Sequence, residues 1–267
     1  MQTFDDNLIQ FEAQGAAALP TTENQGYIEN DGACIWYAVY GSGKPVILLH
    51  GGLGNSGNWG YQIPALLDNG YQVIVIDSRG HGRSTRDGRP YTYELMADDV
   101  LALMDTLQLQ RASLVGWSDG ADTALILADQ SPERVFGVFF FACNVDPSGT
   151  KEISEYPMPL QRCLSRHVKE YQQLSATPDQ FDLLSEAVSL MQRTQPNYSA
   201  DDLAQIQVPF VVVLGEHDEF IKREHAKYIA QRIPHAEFIE LPNVSHFAPL
   251  QRPQQFNAVM LDFLNRF

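Results

Sequence analysis

The chain has 267 residues, 44% of them hydrophobic and 19% charged, enough to bury about three quarters of its unfolded surface without disulfides or metal. Eighteen Lys and Arg against 33 Asp and Glu give a formal net charge of −15, which repels nucleic acid, anionic membranes and polyanionic substrates. Cys34, Cys143 and Cys163 are odd in number and far apart, so neither a disulfide framework nor a zinc ribbon is supported, and a reducing cytoplasm is expected.

Residues 1–25 read as a polar, turn-rich N-terminal extension. With no basic start and no apolar run beyond Ala16–Leu19, they do not form a signal peptide. No stretch approaches the ~20 apolar residues of a membrane span. From Ala33 to Tyr40, Ile35, Tyr37 and Val39 alternate with Trp36 and Ala38, which predicts a strand paired in a hairpin with Gly26–Glu29. Short apolar runs then recur at Val46–Leu49, Val73–Ile76, Ser113–Gly116, Val135–Phe141 and Phe210–Leu214, as in strands buried on both faces. Between them, Tyr93–Leu107, Ala121–Ala128 and Arg223–Ile233 show helical spacing. The alternation predicts an α/β fold with a mostly parallel sheet flanked by helices and a ligand site at the carboxyl ends of the strands.

The alternation fails between Asp146 and Asn197. This interval holds five prolines and helical periodicity at Leu160–Leu174 and Phe181–Met191, and 146–198 reads as a small helical cap. It splits a core of 26–145 and 199–267. Ser199-Ala-Asp-Asp202 looks like a helix start, and a terminal helix spans Pro253–Phe267.

Gly116-Trp117-Ser118-Asp119-Gly120 lies between an apolar run and a helical stretch, the G-x-S-x-G arrangement at a strand-to-helix turn. Composition alone would produce that pentapeptide in about one chain in ten of this length, so the strand before it and the helix after it carry the signal. A serine hydroxyl needs a base, usually His, itself oriented by a carboxylate. Phe210–Leu214 leads into Gly215-Glu-His-Asp218, and the run Phe238–Leu241 leads to Ser245-His246. The order Ser118, Asp218, His246 is the one found in α/β-hydrolases.

The sequence resembles the α/β-hydrolase superfamily from about Gly26 to Phe267. Beyond the elbow, Leu49-His50-Gly51-Gly52-Leu53-Gly54 is similar to the family's oxyanion loop, and Asp77-Ser-Arg-Gly-His-Gly-Arg-Ser84 to its D-x-R-G-x-G-x-S loop. The Gly-Trp-Ser-Asp-Gly elbow is most similar to biphenyl-hydrolase-like and valacyclovir-hydrolase-like esterases. The resemblance implies an α/β-hydrolase fold with a helical cap and a serine hydrolase in which Ser118 attacks, His246 is the base and Asp218 orients it. The N–H groups of Gly52 and Asp119 would bind the oxyanion, with Leu53 the alternative to Gly52. Glu216, Glu219 and Asp119 compete for the acid. His217, His225 and His235 are expected to be solvated, and His50 and His81 to bond backbone in their loops. Trp117 and Trp59 either line the pocket or pack in the core, and Leu53 and Trp117 join the substrate contacts.

Asp119 has two readings. It caps the following helix, or it draws esters bearing an ammonium group. The expected substrate is a small-molecule ester, with no cofactor, no metal, no nucleic-acid or membrane partner, and a monomeric or homodimeric state. Lactonase, perhydrolase and carbon-carbon hydrolase activities remain open on the same triad. A binding or receptor protein without turnover is the alternative of another class.

Overall fold

A computed structural model describes residues 6–267; the first five residues of the N-terminal extension lie outside the described residues. Contrary to the turn-rich reading, the extension contains helix α1 (Asp6–Gln14). Its Leu8 and Phe11, three apart, are buried, and the helix packs on elements far along the chain. The stripe is too short for periodicity to reveal, and tertiary packing supplies what local propensity does not.

Strands β1 (Gln25–Asn30) and β2 (Ala33–Tyr40) form the antiparallel hairpin, turning at Asp31 and Gly32, both at positive φ. The chain continues through β3 (Lys44–Leu49), α2 (Gln62–Asp68), β4 (Tyr71–Ile76), α3 (Tyr93–Thr106), β5 (Ala112–Trp117), α4 (Asp119–Gln130) and β6 (Val135–Phe141). Helices α5 (Met158–Leu174) and α6 (Phe181–Thr194) follow, then the one-turn α7 (Ala200–Leu203). Strands β7 (Phe210–Gly215) and β8 (Glu237–Leu241) bracket α8 (Arg223–Arg232), and α9 (Ala248–Gln251) and α10 (Pro253–Leu264) close the chain.

The eight strands lie in the order β1-β2-β4-β3-β5-β6-β7-β8, parallel from β4 onward and antiparallel where β2 meets β1 and β4. Every residue of β5 and of β7 is buried, which accounts for continuous apolar runs where a half-exposed sheet would alternate. The chain leaves β3 toward β4 on one side and returns to β5 on the other. Such a reversal opens a crevice beyond the carboxyl ends of β3 and β5. Two glycine-bearing sequence motifs, Gly51-Gly52 and Gly116 to Gly120, sit at those two ends.

Candidate active site

Ser118 stands between β5 and α4 at φ +53 and ψ −126, a backbone conformation rare for any residue with a Cβ. Its N–H donates to Phe141 O at 2.9 Å, and its own carbonyl accepts from Ala121 and Asp122 N–H, so sheet and helix fix the turn from both sides. A Cβ at Gly116 would overlap the Gly120 carbonyl and Ala121, and one at Gly120 would overlap the Leu49 carbonyl. The two glycines are thus required by close approach, which is the physical content of the motif.

Asp218 follows β7 and is 2% exposed. Its Oδ1 accepts from the N–H groups of Phe220 and Ile221 at 2.8 and 2.7 Å, which leaves Oδ2 aimed at His246 Nδ1, 2.8 Å away. An ionised carboxylate only accepts, so Nδ1 carries the proton and Nε2 is left as the basic nitrogen. Burial disfavours the imidazolium, but Asp218, Glu219 and Asp119 favour it, and the balance raises the His246 pKa above its ordinary value. Phe220 and Phe247 set their rings edge-on against the imidazole.

Ser118 and His246 line one cavity of about 680 Å³, together with Gly51, Gly52, Leu53, Trp117 and Asp119. The side of it supplied by α5 and α6 includes Leu160, Leu164, His167, Ser189 and Gln192. Among the described residues, the N–H groups of Gly52 and Asp119 have no protein acceptor. Gly52 lies so close to the Asp119 carboxylate that a Cβ there would overlap it. Leu53 adopts φ +64.

A model of the alpha/beta hydrolase fold matches residues 44–174. The solved structure of Est816, described as an N-acyl homoserine lactone degrading enzyme, is 30% identical, covers 89% of this chain and all of its own, and superposes with a TM-score of 0.68. The chain belongs to the alpha/beta hydrolase fold family. The mouse (Mus musculus) serine hydrolase BPHL is 27% identical over 266 residues, spanning 95% of this chain and 90% of the mouse protein. The enol-lactonase from Burkholderia xenovorans LB400, at 23% identity, covers 90% of this chain and all of its own with a TM-score of 0.72, which speaks to fold alone.

In this α/β-hydrolase the competing acids are placed apart from the His246 ring. Glu216 is exposed and accepts from Asn243 N–H. Glu219 accepts from the main-chain N–H of His246 at 2.9 Å, and burial pushes its carboxyl up to about 6. Asp119 is 5% exposed; its Oδ1 accepts from Tyr93 Oη and Gln192 Nε2, both at 3.0 Å, and Gln192 also reaches Oδ2 at 3.2 Å. Its carboxylate therefore bonds side chains instead of capping α4. Burial raises its pKa, against the lowering effect of Gln192 and Tyr93.

His50 and His81 are buried and bond backbone, His50 through Gly51 O and Ser78 N–H and His81 through Arg79 O. Burial holds His81 near 3. His217 and His235 are exposed. His225 is not solvated as expected: it is buried, and its Nε2 accepts from Val145 N–H at 3.1 Å. Its helical context gave no hint that the segment after β6 packs against it. Trp117 serves both roles weighed for it, lining the cavity while packing edge-on against Trp59 and Phe247; Trp59 is wholly buried in the core. His167, Glu170, Gln192 and the buried Asp122 were not singled out from sequence, because their meaning comes from partners 70 or more residues away or, for Asp122, from complete burial.

Proposed function

We propose that this α/β-hydrolase cleaves carboxylic esters of small molecules through an acyl-enzyme on Ser118. The observation that carries the reading is the strained Ser118 elbow opening into the same cavity as the imidazole of an Asp218-bonded His246. His246 Nε2 takes the Ser118 proton as Oγ attacks the carbonyl carbon, then returns it to the leaving alkoxide; water repeats the cycle to release the acid. Asp218 holds the ring tautomer and stabilises the imidazolium. The free N–H groups of Asp119 and Gly52 are directed to the developing oxyanion, where donors arranged in advance act most strongly.

The interval 146–198 acts as a cap whose α5 and α6 roof the acyl and leaving-group space, and Leu53 and Trp117 contact substrate. The buried Asp119 carboxylate supports a preference for esters bearing an ammonium group. No cofactor or metal enters these steps. Three free cysteines fit a reducing, cytoplasmic setting, and the enzyme acts as a monomer or homodimer in this reading; among the described residues no helix is long and apolar enough to cross a membrane. The test is fluorophosphonate labelling with p-nitrophenyl acetate turnover. Wild type should label and turn over, and Ser118→Ala should fold, fail to label and lose on the order of 10⁶ in rate. Activity surviving that change overturns the reading.

A further inference from the structure

Glu170, on α5, is buried, and half of its partners belong to the loop that carries Gly52. Its Oε2 accepts from Asn55 Nδ2 at 2.9 Å and from Asn58 Nδ2 at 3.2 Å, and its Oε1 accepts from Arg166 Nε at 2.9 Å. His167 Nδ1 lies 3.8 Å from Oε2. Both asparagines also bond the turn they sit in: Asn55 Oδ1 accepts from Gly57 N–H, and Asn58 Oδ1 accepts from Asn55 N–H. Each amide therefore has its oxygen committed to the loop backbone and its nitrogen to α5, which fixes both orientations.

From the opposite side, Asp77 Oδ1 accepts from Ser56 N–H at 2.8 Å, and the loop closes on itself where Gly54 N–H donates to Gly51 O at 3.1 Å. Residues 51–59 are thus held by the sheet through Asp77 and by α5 through Glu170. Helix α5 is in turn tied to α1, where Arg162 pairs with Glu12 at 2.8 Å and Arg166 covers Gly15. Burial would raise the Glu170 carboxyl, but His167, Arg166 and Asn55 hold it down at about 2, so it stays an acceptor at any working pH.

We infer that Glu170 is a positioning residue for the oxyanion site: it couples the seating of α5 over the cavity to the placement of the Gly52 N–H, a role that rests on the ester-hydrolase reading above. A donor that acts only on the developing oxyanion affects turnover more than substrate binding, and a displacement of ~1 Å can cost about 10²-fold.

The experiment compares wild type, Glu170→Ala and Glu170→Gln with p-nitrophenyl acetate, alongside hydrogen exchange of the peptide 51–59. Glu170→Ala should lower kcat about 10- to 100-fold with KM within about threefold, slow fluorophosphonate inactivation in parallel, and speed exchange in 51–59. Glu170→Gln keeps an oxygen for both asparagines while losing the Arg166 pair, and should recover most of the kcat. Where Glu170→Ala does not fold, Asn58→Ala removes the contact from the loop side and must give the same kcat-selective loss. An effect confined to Tm or KM, unchanged exchange in 51–59, or no recovery with Gln overturns the inference. Ser118→Ala in parallel separates the two claims: activity surviving there sinks the serine reading, whereas full loss there with an unmoved Glu170→Ala sinks only the role of Glu170.

Discussion

The main-chain N–H of His246 donates to Glu219 Oε2 at 2.9 Å while its ring Nδ1 meets Asp218 Oδ2 at 2.8 Å, so two adjacent acids hold one histidine by its backbone and by its ring. Asp218 sets the direction of the imidazole, and Glu219 sets the position of the loop that carries it. Both charges favour the imidazolium, against a burial effect of opposite sign.

The pH profile follows from that balance. Only neutral imidazole acts as base, and the His246 pKa is raised, so kcat/KM should fall with decreasing pH through a value above the usual 6.5. Glu219→Gln removes one favourable charge and should move this limb to lower pH. The shift should fade near and below pH 6, where Glu219 itself takes up a proton. A flat profile from pH 5.5 to 8.5 in folded protein, or a limb moved upward by Glu219→Gln, contradicts the assignment.

Removing the ring-facing acid should be far more costly. Asp218→Asn leaves the imidazole free to adopt the wrong tautomer and its cation unstabilised, for a kcat loss on the order of 10⁴. Glu216→Gln should stay within about threefold, since its carboxylate serves an exposed turn. Steady-state kinetics at pH 8 on the three variants decides between the acids; a crippled Glu219→Gln beside a mild Asp218→Asn would transfer the role to Glu219.

Asp122 makes a stability prediction. It is wholly buried on α4; its Oδ2 accepts from Cys143 Sγ at 3.1 Å, while Oδ1 has no partner. Burial pushes its carboxyl well above the ordinary value, so the folded protein binds this proton more tightly than the unfolded chain. Stability from this group therefore falls as pH rises from about 4 toward the raised folded pKa, at up to roughly 1.4 kcal/mol per pH unit. Asp122→Asn removes the titration, and should raise Tm at pH 8 by about 2–4 °C for each kcal/mol recovered, with a smaller gain at pH 4.5. Thermal unfolding at the two pH values is the measurement, and an equal or larger gain at pH 4.5 would rule out a buried protonated acid.

What the sequence made legible was local. The runs at Ser113–Gly116 and Phe210–Leu214 declared themselves as β5 and β7 because strands buried on both faces need continuous apolar residues. Gly116 and Gly120 declared the elbow because no side chain fits there. Helix α1 was hidden because its two buried residues, Leu8 and Phe11, make too short a stripe to give a usable period, and packing against α5 and α9 explains it. The same reason hid Glu170 and Gln192, whose partners lie 115 and 73 residues away. On its helix each reads as an ordinary surface residue, and the fold alone brings it to the loop or to Asp119.

Asp119 carries the prediction about substrate. Its N–H is the proposed oxyanion donor, while its carboxylate, two bonds removed from the backbone, lines the cavity against Gly52. An anion so placed opposes negative charge on the substrate unless a cation meets it. Among the described residues its hydrogen-bond donors are neutral, Tyr93 Oη and Gln192 Nε2. A substrate ammonium adds a direct charge–charge attraction to the carboxylate that the neutral Gln192 amide lacks, so it can replace that amide at a net gain. The gain should appear as a 10- to 100-fold preference in kcat/KM for an α-amino acid ester over its des-amino isostere, about 1.4–2.7 kcal/mol at an effective dielectric near 20. Because burial raises the Asp119 pKa, the preference should weaken as pH falls and the carboxylate takes up a proton. Asp119→Asn keeps an oxygen for Tyr93 but loses the charge, and should flatten the preference while leaving turnover of the uncharged ester within about tenfold. Paired kinetics on the two esters, in wild type and Asp119→Asn at pH 6 and 8, decides the matter: a preference absent from wild type, or unmoved by the substitution, removes the carboxylate from substrate selection and leaves only its backbone N–H in the reaction.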